Sequence, residues 1–136
     1  MKKILQDLIP DAIQVIKDTG IASGSDQMKV NSLFKGYISS YGASIVQSGL
    51  LSSTIFFEND EGTEQGVGSR RKICQAILLM LDRESNPGKI FNANKLMHKY
   101  LLANKKYQDP QLLAKIMDKI VVLKIALRTF NIQDDE

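Results

Sequence analysis

The chain has 136 residues, 43% hydrophobic and 24% charged, a balance that excludes a disordered chain and suits one globular domain spanning residues 1–136. It has one cysteine, Cys74, and one histidine, His98, which excludes an internal disulfide framework and any site needing two of either residue. The net charge of +3 hides a split: residues 1–69 carry five Lys/Arg against eight Asp/Glu, residues 70–128 carry thirteen against four, and Asp134, Asp135 and Glu136 close the chain. So basic a stretch after residue 69 points to a polyanionic partner. Asp7 and Asp11 interrupt the first apolar run, and no stretch reaches bilayer length, so the sequence predicts a soluble, cytoplasmic protein with no membrane partner.

The apolar spacing is helical from end to end. Residues 2–19 put Leu5, Ile9, Ile13 and Ile16 on one stripe beside Leu8, Ala12 and Val15, and Pro10 predicts a kink or a restart. Gly20 closes this helix, and a Gly/Ser connection follows over 20–25. A second helix, capped by Ser25 or Asp26, runs to about Ser48 on the stripe Val30, Phe34, Tyr37, Tyr41 and Ile45. Gly36, Ser40, Ala43 and Ser44 form a small-residue face on it, where another helix, in the bundle or on a neighbouring subunit, could approach closely. Gly49 ends that helix, and Leu50 to Phe57 reads as a short apolar one.

Residues 58–68 are acidic and glycine-rich and read as a loop. A fourth helix over about 69–84 contains Ile77-Leu78-Leu79-Met80-Leu81, which has no polar face and marks it as central. Asn86-Pro87-Gly88 is a turn, and a fifth helix covers about 92–104. Asp109-Pro110 starts the last helix, which runs to about Phe130 with Leu113, Ile116, Ile120, Leu123, Leu127 and Phe130 inward. Residues 131–136 form an acidic tail. No convincing pair of alternating strands exists, so the fold class is all-α, a single-domain bundle of five to six helices.

Catalytic constellations are absent from the pattern. His98 has no acid or cysteine at a suggestive spacing, and Cys74 sits on an apolar helix face, where it reads as an inert small hydrophobe. Glu58, Asp60, Glu61 and Glu64 do not follow the ligand order of a calcium loop and read as solvated. Gly66-Val67-Gly68-Ser69-Arg70-Arg71-Lys72 places three cations at a helix start but lacks the spacing of a nucleotide-phosphate loop. Lys105 and Lys106 lie between the last two helices, while Lys115 with Lys119 and Lys124 with Arg128 are one turn apart. Each of these is individually an ordinary surface cation. Together they make Arg70, Arg71, Lys72, Lys105, Lys106, Lys115 and Lys119 the candidate nucleic-acid-binding set, by phosphate contact because no aromatic stacking platform shows in the sequence.

The segment Leu33-Phe34-Lys35-Gly36-Tyr37-Ile38-Ser39-Ser40-Tyr41-Gly42-Ala43-Ser44-Ile45-Val46-Gln47-Ser48-Gly49-Leu50, with the short apolar helix after it, resembles the small helical subunit of the Cmr complex, the type III-B CRISPR RNA-guided effector. The closing run Ile120 to Phe130 resembles the final helix of that family. The resemblance implies a non-catalytic protein without cofactor or small-molecule substrate, acting in antiviral defence. It implies as partners the backbone RAMP protein, neighbouring small subunits, and the guide and target RNA. The residues alone leave open a free-standing helical nucleic-acid-binding protein or a protein-interaction adaptor.

Overall fold

The computed structural model describes residues 2–59 and 70–133. It is an all-helical bundle with a small sheet at one margin. Helix α1 spans Lys2–Asp18, and a hairpin of β1 (Ala22–Ser23) and β2 (Lys29–Asn31) follows it. Helices α2 (Leu33–Ser48), α3 (Leu50–Glu58), α4 (Arg71–Ser85) and α5 (Met97–Leu102) come next. A 3-10 helical segment (Ala103–Gln108), helix α6 (Pro110–Leu127) and strand β3 (Asn131–Gln133) complete the described chain.

Helix α1 runs through Pro10 without a break. The proline leaves the Gln6 carbonyl without its helical donor, but both residues are exposed, so water can take that place. The second helix starts later than its sequence suggests. Asp26 caps a turn instead, its carboxylate accepting from Met28 N–H at 3.1 Å, and Asn31 makes the same bond to Leu33 N–H at 2.9 Å where α2 begins. Val30, expected on the helix stripe, is buried from β2.

The sheet was not expected. Its order is β1-β2-β3, with Ala22 opposite Val30 in the antiparallel pair and Val30 opposite Ile132 in the parallel one. Strands of two and three residues are too short to show a period of two, and β3 takes in residues 131–133 of the expected tail. Ser32 N–H donates to the Gln133 carbonyl at 2.8 Å, which ties β3 to the start of α2.

Gly49 turns α2 into α3 at φ +94° and ψ 159°, a region open in practice only to glycine. Two short hydroxyl bonds fasten the helices to each other, Tyr41 to Thr54 and Ser44 to Ser53, both 2.6 Å. Helix α4 is central as expected, with every residue from Ile73 to Leu81 buried. In α6, Ile116, Ile120, Leu123 and Leu127 point inward with Phe130 just beyond, but Leu112 replaces Leu113, which is 37% exposed. Asp109 caps α6 as expected, accepting from Gln111 N–H at 2.9 Å, with Pro110 in the first turn. The fifth helix starts only at Met97, because Asn92 holds Asn94 in a side-chain turn at 2.9 Å.

Candidate nucleic-acid interface

The seven candidate cations divide into three situations. At the start of α4, Arg70 lays its guanidinium 4.5 Å over the Phe56 ring and 5.6 Å from the Phe57 ring. Arg71 donates its Nε hydrogen to the Glu58 carbonyl at 3.0 Å, placing a cation on the C-terminal end of α3. Lys72 turns the other way and donates to the Gly20 carbonyl at 3.2 Å. Partial burial lowers the pKa of its ammonium. All three are half-buried, so the start of α4 is first of all a fastening point between α3, α4 and the turn after α1. Residues 66–69 of the same motif lie outside the described residues, as do Asp60, Glu61 and Glu64.

The second group is more open. Lys105 and Lys106 occupy the 3-10 segment, where Asn104 and Lys105 both take left-handed angles, φ 54° and 55°. Two successive non-glycine residues in that region are a strained turn, and it projects Lys105 into solvent. Lys106 sits 5.2 Å from the Tyr100 ring, and these two share with Asp109, Gln111, Leu112 and Lys115 a depression of about 190 Å3. Burial raises the Tyr100 phenol above its ordinary pKa, so it stays protonated and can donate a hydrogen bond. Lys115 is exposed, with its ammonium 3.7 Å from a Glu84 oxygen. The structure therefore brings Lys106 and Lys115 together, with Lys105 beside them.

Lys119 leaves the set. Its side chain is 2% exposed, and its ammonium is bonded to Glu84 of α4. The spacing carries the reason: Lys119 lies on one helical stripe with Leu112, Ile116, Leu123 and Ala126, all buried. Lys115, one turn earlier, lies just outside that stripe.

Two aromatic surfaces appear that the sequence did not show. Phe56 is 60% exposed beneath Arg70, and Tyr100 lies beneath Lys106. Each pairs a cation with a ring, the combination on which unpaired bases stack.

Glu58 is the residue that its sequence neighbourhood misplaces. It is the buried end of α3, 3% exposed, and not part of a solvated loop. Its Oε2 accepts from Met97 N–H at 2.6 Å, and its Oε1 accepts from His98 N–H and from His98 Nδ1, both at 2.8 Å. One carboxylate thereby caps the start of α5 and orients its only histidine. An imidazole held by an acid can act as a base on a thiol, a water or a substrate proton. Cys74 is not an activated thiol: it is fully buried, and burial pushes its thiol well above the usual pKa. Among the described residues there is no group of three metal-ligating side chains and no helix long and apolar enough to cross a membrane.

The small-residue face of α2 does not pack inside the bundle. Gly36, Ser40 and Ala43 are exposed, and a Cβ on Gly36 would meet nothing within 4 Å. Ser44 alone turns inward, to Ser53. The glycine at the internal contact is Gly42, buried, where a Cβ would stand 3.6 Å from Ile120 of α6. No family model matches the chain, and no curated protein and no solved structure matches it.

Proposed function

We propose that this protein is the small, non-catalytic helical subunit of a type III-B CRISPR RNA-guided effector, stacking beside the backbone protein and contacting RNA phosphates. The observation that carries the reading is the segment 33–50, whose sequence resembles that family. It folds as a long helix, α2, turned at Gly49 into the short apolar helix α3. Its outer face, Gly36, Ser40, Ala43 and Val46 (76% exposed), is open and nearly featureless, the surface another helix can approach closely. The strained turn at Lys105, with Lys106, Lys115 and Tyr100, supplies phosphate contacts, and Arg70 over Phe56 supplies a further cation. Scattered cations bind weakly alone and act at high effective concentration when neighbours hold the chain along RNA.

The test is target-RNA affinity of the assembled complex measured against salt. The wild-type chain is compared with one in which Arg70, Lys105, Lys106 and Lys115 are all Ala. Removing one cation from a phosphate flattens the log–log salt slope by about 0.7 on a single strand. Equal affinity and equal slope would show that these cations serve solubility and touch no RNA.

A further inference from the structure

A second basic surface lies apart from those residues. Lys35 and Ser39 of α2, with Lys124 and Leu127 of α6, Arg128 and Ile132, enclose a groove of about 140 Å3. Buried Leu127 and exposed Ile132 give it apolar walls. The elements that build it carry no counter-charge: α2 has no acid, and α6 has none after Asp118. None of the three cations is ion-paired within the described residues. Lys124 and Arg128, one turn apart, repel each other, although the C-terminal end of α6 suits them. Lys35 has no such compensation, because it sits in the first turn of α2, where the helix dipole disfavours a cation.

We propose that this groove docks a short acidic segment of a partner protein, with one apolar side chain against Leu127 and Ile132 and flanking carboxylates on Lys35, Lys124 and Arg128. The volume suits one such side chain, since an apolar cavity of about 150 Å3 accepts a benzene-sized group. The Arg128 guanidinium offers a carboxylate two parallel donors, and Ser39 offers the partner backbone a hydroxyl. A nucleic-acid strand would use the charges but leave the apolar walls unfilled, and the groove holds no aromatic ring on which a base could stack. The site shares no residue with the cations assigned to RNA, so either reading can fail without the other.

The test is fluorescence anisotropy with the purified full chain, whose own acids at 134–136 are then present as competitors. The probe is a labelled short peptide in which one leucine is flanked by glutamates. The comparators are the same peptide with serine for leucine and a short oligouridylate. The leucine peptide binds about tenfold more tightly than the serine peptide. Lys124→Ala with Arg128→Ala weakens it about tenfold, and Lys35→Ala on the opposite wall weakens it as well. Ile132→Ser removes the preference for leucine. Lys124→Glu with Arg128→Glu, checked for folding by circular dichroism, transfers binding to a peptide with lysines around the leucine. Equal binding of the leucine and serine peptides, or no binding of either, would overturn the proposal. So would an oligouridylate that binds more tightly than the peptide and loses its affinity in the Lys124/Arg128 double variant.

Discussion

Lys119 and Glu84 form an unequal pair, and the inequality is testable. Lys119 is buried, whereas Glu84 is exposed and keeps Lys115 as a second partner at 3.7 Å. Glu84→Ala strands an ammonium in the core and should destabilise by about 3 kcal/mol. Lys119→Met removes the buried charge itself and should cost less than about 1 kcal/mol. Chemical denaturation of the two variants checks the order, and equal losses would contradict it. Asp11 gives a pH signature. Burial raises its pKa above 3.8, outweighing the pull of Arg83 and Lys119. The folded state therefore holds this proton more tightly than the unfolded chain does. Its contribution to stability is complete below pH 3.8 and is lost as pH rises through the shifted value. Asp11→Asn should gain stability relative to wild type as pH rises from about 3.8 towards neutrality, read from melting temperatures across that range. A constant difference would contradict it. At this scale the sequence showed residue types well and pairings poorly. The stripe position of Lys119 was visible in its spacing, but nothing near Glu58 in the chain indicates the backbone N–H groups of Met97 and His98.

At the scale of elements, Gly36 and Gly49 separate two uses of glycine on neighbouring stretches. Gly36 has ordinary helical surroundings and open space around it, so Gly36→Ala should stabilise the isolated chain by about 0.5–1 kcal/mol. Gly49→Ala forces a side chain into φ +94° and should cost about 1–3 kcal/mol. Thermal denaturation distinguishes them by sign. Ala43→Leu should leave the isolated chain nearly unchanged, since Ala43 is exposed, and should impair assembly if α2 meets a neighbour there. The cap on α5 is the third such case: Glu58→Ala leaves two backbone donors without their acceptor and should cost more than about 2 kcal/mol. His98→Ala, which removes only the outer partner, should cost less. Long elements with an apolar stripe and a stop signal were legible, α1, α4 and α6, as were the short apolar helix α3, the Asp109-Pro110 start and the Gly49 turn. The sheet and the starts of α2 and α5 were not, because side chains reaching two residues ahead, at Asp26, Asn31 and Asn92, decide them locally.

For the whole molecule, the helical spacing of apolar residues indicated an all-helical bundle, with its basic residues concentrated after residue 69, and the bundle is what the chain forms. The basic half does not act as one patch. One cation is structural inside the core, three brace the start of α4, two gather near Tyr100 with Lys105 projecting into solvent beside them, and Lys124 and Arg128 meet Lys35 across a groove. Sequence spacing cannot separate these uses, because a lysine at a given helical position looks the same whether its neighbour is Glu84, a tyrosine ring or solvent. Membership of an RNA-guided complex is tested most directly by purifying the tagged protein from its native cells and identifying what accompanies it. The proposed function predicts a defined set of larger protein subunits together with short RNAs of uniform 5′ sequence. Recovery of duplex DNA, or of protein partners without nucleic acid, would contradict it.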